Sequence, residues 1–252
     1  MSKIMDRYVL GARVAPIIIV SLMLFLAASA WIPFREWPTK LLGGSAVLII
    51  VAFVLAQVAR NAGKKIEGAL WLSWGGPPTT QLLRHRDQTI AAGSKLLLHQ
   101  RLIALGIVKG MPSSIEEAAE PARADDIYQT CGDWLRRKAL ELKNKPPFDI
   151  VHSENIMYGF QRNMLGIKPY GVAVFVLSFA LTIMSFGFGR SPYIELIALV
   201  MLGVYLWFGV SSAAVKKAAY DYSQRLLDAT QSLEPVKPQS SASRRGKSEK
   251  AQ

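Results

Sequence analysis

PYGVAVFVLSFALTIMSFGFG, from Pro169 to Gly189, carries no charged residue. A helix of about 20 apolar residues crosses the roughly 30 Å hydrocarbon core of a bilayer. Three other stretches read the same way: Val14 to Phe34, Leu41 to Ala59 and Leu196 to Val215. Nothing in a soluble fold requires four such runs in one chain. The pattern predicts an all-α polytopic membrane protein, two transmembrane hairpins flanking a helical cytosolic domain. Composition is less telling, since the 51% hydrophobic content of these 252 residues is only slightly above the globular norm.

Orientation follows from the basic residues. Of 30 Lys and Arg, 16 lie between Arg60 and Lys168, 8 follow the fourth span and 3 precede the first. The two outer connectors hold only Arg35, Lys40 and Arg190, beside the interface aromatics Trp31, Trp37 and Tyr193. Both termini are therefore expected in the cytosol. Ala28-Ser29-Ala30 resembles a signal-peptidase site, but the apolar run is long for a leader and a partner span follows closely. The single cysteine, Cys131, excludes an internal disulfide framework.

The expected organisation is a first hairpin over 1–59, with spans 14–34 and 41–59, and a basic helical domain over 60–168. A second hairpin over 169–215 follows, with spans 169–189 and 196–215. An amphipathic helix over 216–234 and a disordered basic tail over 235–252 complete the chain. The second span is read as continuing to Trp74, where Gly75-Gly76-Pro77-Pro78 stops it. Span four is read as running on into a near-heptad stripe of Val215, Ala219, Tyr222, Leu226, Ala229 and Leu233. Within the middle domain, helices are expected after Thr79 or Thr80, over Thr89 to Leu105, after a Ser114/Glu117 capping box, over Ala124 to Leu142, and from Ser153 to Gly166. No period-2 alternation of useful length predicts a strand.

No HExxH, paired cysteine, GxSxG or P-loop accompanies the histidines, so no enzyme, metal or cofactor is expected. His85 with Asp87 could in principle do acid–base chemistry, against the plainer reading of a basic helix edge with salt bridges. Charge says more. Arg84, Arg86, Arg101 and Arg136 to Lys138 are far in sequence from any span, so topology does not account for them. Arg84, Arg86, Arg101, Arg136, Arg137 and Arg162 are the candidates for binding an anionic nucleotide or oligonucleotide, through planar contacts to phosphate. A solvated face is the alternative. In the apolar segments, Ser178, Thr182 and Ser185 share one helix face, and Gln57 and Asn61 lead another. These five are the candidates for a conduit; interhelical hydrogen bonding is the commoner use of such residues.

Two segments carry a resemblance. Leu70-Trp71-Leu72-Ser73-Trp74-Gly75-Gly76-Pro77-Pro78-Thr79-Thr80, running on to Leu83-Arg84, is similar to a motif of bacterial membrane proteins. Glu154-Asn155-Ile156-Met157-Tyr158-Gly159-Phe160-Gln161-Arg162-Asn163, followed by Lys168-Pro169, is similar to a second motif of theirs. The arrangement of hairpins around a soluble domain also resembles four-span effectors of bacterial conflict systems, including the membrane effectors of Hailong-type anti-phage defence. That resemblance implies an oligomeric pore that collapses the membrane potential. It further implies gating by a nucleotide or DNA oligomer from a partner nucleotidyltransferase. The expectation is thus a homo-oligomeric membrane effector or channel; the alternative is a non-conducting scaffold in which Trp71, Trp74 and Trp134 serve a protein partner or the core.

Overall fold

The structure is a computed structural model describing residues 7–31 and 37–235, with backbone only over 37–51. The tail expected to be disordered lies outside the described residues, apart from Pro235. Every element among the described residues is helical and none is a strand. Helix α1 (Ala15–Ser29) is entered through a π-helical stretch, Val9–Val14. Two 38-residue helices, α2 (Trp37–Trp74) and α7 (Phe148–Ser185), join an apolar bundle to the middle domain. Between them come α3 (Pro78–Leu83), α4 (Ala92–Ala104), α5 (Ser114–Ala119) and α6 (Pro121–Glu141). Helix α8 (Tyr193–Val204) and α9 (Ser212–Asp228) close the fold.

Among the described residues, two helices are long and apolar enough to cross a membrane, Val9–Ser29 and Phe148–Phe188. The run expected over Leu41 to Ala59 lies inside α2, mostly where side chains are not described. The run expected over Leu196 to Val215 is different. It is interrupted by a 67° bend between Tyr193–Gly209 and Ser212–Ser232. The cause is local: a π-helical turn at Tyr205–Gly209 ends in extended Val210, and Ser211 then caps a new helix by accepting from the Ala214 amide at 3.2 Å. The Lys168 ammonium, from α7, donates to the freed carbonyls of Trp207 (3.2 Å) and Val210 (2.6 Å). The expected uninterrupted run from span four into the amphipathic helix is therefore two helices with a pinned joint.

The outer face of α7, α8 and the π-helical turn after it is apolar and uncovered: Val176, Leu177, Ile194, Ile197, Met201, Trp207 and Phe208 all exceed half exposure. An apolar surface of this extent is unusual on a soluble monomer and suits hydrocarbon contact. Inside, Met23, Met164, Leu199 and Leu206 form the bundle core. At the end away from the middle domain, Trp31 Nε1 donates to the Leu181 carbonyl at 3.1 Å and ties α1 to α7.

At the other end the helices approach unusually closely. A Cβ on Gly166 would lie 2.6 Å from the Ala62 carbonyl carbon and overlap the Gly63 backbone, so α2 and α7 cross where both lack side chains. Two turns earlier, a Cβ on Gly159 would meet that of Ala12, and between them Asn163 Nδ2 donates to the Ala12 carbonyl at 2.7 Å. Gly166 is thus a crossing point and not the helix end expected there. Helix α7 begins at Phe148 rather than Ser153, whose hydroxyl bonds back to the Asp149 carbonyl.

The middle domain packs α3, α4, α6 and α9 around Leu82, Leu83, Leu102, Tyr128 and Leu135. The capping box sits one residue earlier than expected, at Ser113 and Glu116. Glu117 is instead buried and accepts from the His85 amide (2.7 Å), the Arg86 amide (3.3 Å) and the Tyr128 hydroxyl (2.8 Å). The stripe that runs along α9 and the turn after it is consumed within the chain: Val215, Ala219, Leu226, Ala229 and Leu233 are buried, and Tyr222 packs against the same core.

Candidate functional site

The two motif segments, some 80 residues apart in sequence, meet in one cavity of about 390 Å³ where the apolar bundle joins the middle domain. Helix α2 supplies Arg60, Lys64, Glu67 and Trp71, spaced four, three and four, which sets them on one face. Helix α7 supplies Asn155, Tyr158 and Arg162 by the same rule. Pro77, Pro78 and Thr79 come from the turn into α3, Arg136 from α6, Tyr222 from α9, and Tyr8 and Arg13 from the approach to α1.

That turn is fixed by its own sequence. Gly75 and Gly76 take φ values of +91° and +124°, a region only glycine enters freely, and Pro78 starts α3. Gln81 Nε2 donates to the Gly76 carbonyl at 2.6 Å, and the Tyr220 hydroxyl donates to Gln81 Oε1 at 2.8 Å. The Thr79 and Ser223 hydroxyls meet at 3.0 Å. The turn is thereby held against α9 and forms a wall of the cavity.

Five cationic side chains line this cavity against one carboxylate. The carboxylate is already engaged: Glu67 Oε1 accepts from Arg162 Nη1 at 2.5 Å and from the Tyr158 hydroxyl at 2.7 Å. Arg162 is buried and also stands 5.5 Å from the Tyr158 ring centroid. Arg136 pairs with Asp133, and Arg13 lies over the Tyr8 ring at 5.5 Å. Arg60 and Lys64 have no acidic or hydrogen-bonding partner among the described residues. A concave, partly enclosed surface with uncompensated cations concentrates positive potential and favours an anion.

Of the six arginines expected to bind an anion, Arg136 and Arg162 line this cavity. Arg84 is folded inward: Nε and Nη2 donate to Asp125 at 2.7 Å each, and Nη1 to the Gly75 carbonyl at 2.8 Å. Arg86 is half exposed, 3.7 Å from Glu117 and 3.8 Å from Asp125. Arg101 pins the helical turn Ala229–Ser232 and the residue after it through the carbonyls of Thr230, Gln231 and Leu233, beside a separate cavity between α4 and α9. Arg137 is exposed on α6. His85 and Asp87 are not brought together: His85 Nε2 meets the Pro112 carbonyl at 2.9 Å, and Asp87 holds the Thr89 amide at 2.9 Å.

The conduit candidates divide as well. Ser178, Thr182 and Ser185 are fully buried on one face of α7. The Thr182 and Ser185 hydroxyls donate to their own helix, to the carbonyls of Ser178 and Thr182, at 2.8 Å each. Ser178 Oγ is buried without a hydrogen bond. Gln57 is half buried and Asn61 exposed, on a face of α2 adjoining the cavity-facing one. The sequence reading missed Tyr8, Arg13, Arg60, Lys64, Glu67 and Tyr222 as site residues. The four-three-four spacing from Arg60 to Trp71 was the available signal.

Comparison with family models, curated proteins and solved structures finds no match for this chain.

Proposed function

We propose that this chain is a four-span effector of the bacterial inner membrane, with both termini cytosolic, whose action on the membrane is governed by an anionic ligand in the junction cavity. The observation that carries this reading is the meeting of both motifs around a cation-rich cavity formed by helices that continue into the apolar bundle. The favoured output is loss of membrane potential through a homo-oligomeric pore. The favoured ligand is a nucleotide or DNA oligomer made by a partner nucleotidyltransferase. One observation favours a second reading, a non-conducting scaffold: the Ser178 face is buried inside a single chain, with two of its hydroxyls bonded to their own helix.

Membrane potential, read by dye fluorescence in a bacterial host expressing the full chain, separates the two. An effector depolarises the cell, and Arg60→Gln with Lys64→Gln changes how far, because the cavity sets the open fraction. A steady potential at verified membrane expression, with and without nucleotides introduced into the cell, overturns the conducting reading and leaves the scaffold.

A further inference from the structure

We infer that the junction cavity is a phosphomonoester site, taking the terminal phosphate of its ligand and not an internal phosphodiester. The inference rests on that cavity being the ligand site, and it names the chemistry recognised there. Size is the first argument. About 390 Å³ lies at the low end of the roughly 300–1,000 Å³ typical of small-molecule sites, so the cavity accepts one end of a chain and not an oligomer along its length.

Charge is the second argument. Glu67 is spent on Arg162 and Tyr158, and Asp133 on Arg136, which leaves Arg60 and Lys64 uncompensated on one wall. A phosphodiester offers a single negative charge to that wall. A phosphomonoester carries about −1.5 to −2 at pH 7 and three acceptor oxygens. It can therefore accept from the Arg60 guanidinium and the Lys64 ammonium together, with an oxygen to spare. Arginine supplies a planar fork and lysine a point charge, a usual division of labour around a terminal phosphate.

Position is the third argument. Arg60 and Lys64 directly follow the apolar part of α2, so the cavity lies at the height where a bilayer's headgroups begin. The same chemistry has two natural sources there: a free nucleotide with a terminal phosphate, or a lipid whose headgroup is a bare phosphate.

The test is equilibrium binding to the full chain in phosphatidylcholine nanodiscs, with AMP, adenosine and 3′,5′-cyclic AMP as probes. A second set of nanodiscs contains phosphatidic acid. The expected result is that AMP binds at least tenfold tighter than the cyclic diester or the nucleoside. Its affinity should fall between pH 7 and pH 5, as the second phosphate proton returns near pH 6. Arg60→Gln and Lys64→Gln should each weaken binding at least fivefold, Lys64→Arg should retain it, and Lys109→Gln, exposed on a remote loop, should leave it unchanged. If the lipid is the natural source, phosphatidic acid suppresses AMP binding in wild type and raises the unfolding temperature, and both effects vanish in Lys64→Gln. If AMP and the cyclic diester bind alike, or if neither AMP nor phosphatidic acid responds to the Arg60 and Lys64 substitutions, the inference is overturned. Monoester binding without any change in membrane potential would instead sink the effector reading and leave this site standing.

Discussion

Among single residues, Glu117 has the most demanding environment. Burial pushes its carboxyl upward, but the His85 amide, the Tyr128 hydroxyl and the Arg86 amide outweigh this and hold it below the ordinary carboxylate value. His99 is lowered below 6.5, chiefly by burial, with the neighbouring His85 and Lys95 acting in the same direction. A histidine folded in its neutral form stabilises fully above its unfolded pKa, and that contribution is lost as pH falls below it. The depressed Glu117 carboxyl stabilises above the ordinary carboxylate range and loses its contribution only at more acid pH. Thermal unfolding of the purified chain should thus be flat from pH 8 to about 6.5 and decline below. His99→Gln should remove the first part of that decline, and Glu117→Ala should cost about 2–4 kcal/mol at pH 7.5. Neither role was legible in the sequence. Glu117 was read as the N3 member of a capping box, a local pattern that Ser113 and Glu116 satisfy equally well, and only tertiary packing chooses between the two registers.

At the level of helices, the sequence was most informative where a backbone rule acts alone. Gly75-Gly76-Pro77-Pro78 ends α2 as expected, because no α-helix tolerates that run. It was least informative where two helices meet. Gly166 reads as a terminator by itself; only its approach to Gly63 makes it a crossing point. Gly166→Ala should therefore destabilise far beyond the favourable helix propensity of alanine, by about 1–3 kcal/mol or more, since backbone and not a flexible side chain stands in the way. Unfolding in detergent measures this, and an unchanged midpoint would refute the close crossing. The joint between α8 and α9 was hidden for another reason: an apolar run reports burial in lipid and says nothing about continuity. Lys168→Met removes the donor shared by the Trp207 and Val210 carbonyls, and spin labels on α8 and α9 should then report a broader distance distribution.

For the molecule as a whole, the apolar surface of α7 and α8 sets the solvent. The chain should stay in the membrane pellet through an alkaline carbonate wash and need detergent for release; release by carbonate alone would contradict the bilayer reading. The candidate site was half legible at this scale. Both motifs were visible, and Arg136 and Arg162 do line the cavity they share. Arg84 and Arg101 were singled out because sequence distance from the spans made them hard to explain as topology signals. Folding gives each an internal use that no one-dimensional pattern records: one clamps Asp125 and the Gly75 carbonyl, the other holds the turn at Ala229–Ser232.

The glycine crossing also gives α2 a fulcrum. From Gly63 the helix extends about 17 Å to Trp74 and about 39 Å to Trp37, at 1.5 Å per residue. A stiff rod rocking on that point works as a lever with unequal arms. A displacement of 1 Å at Trp74 becomes about 2.4 Å at Trp37, in the opposite direction. Glu67 and Trp71 sit on the short arm, so a small motion at the cavity wall is magnified at the far end of the bundle.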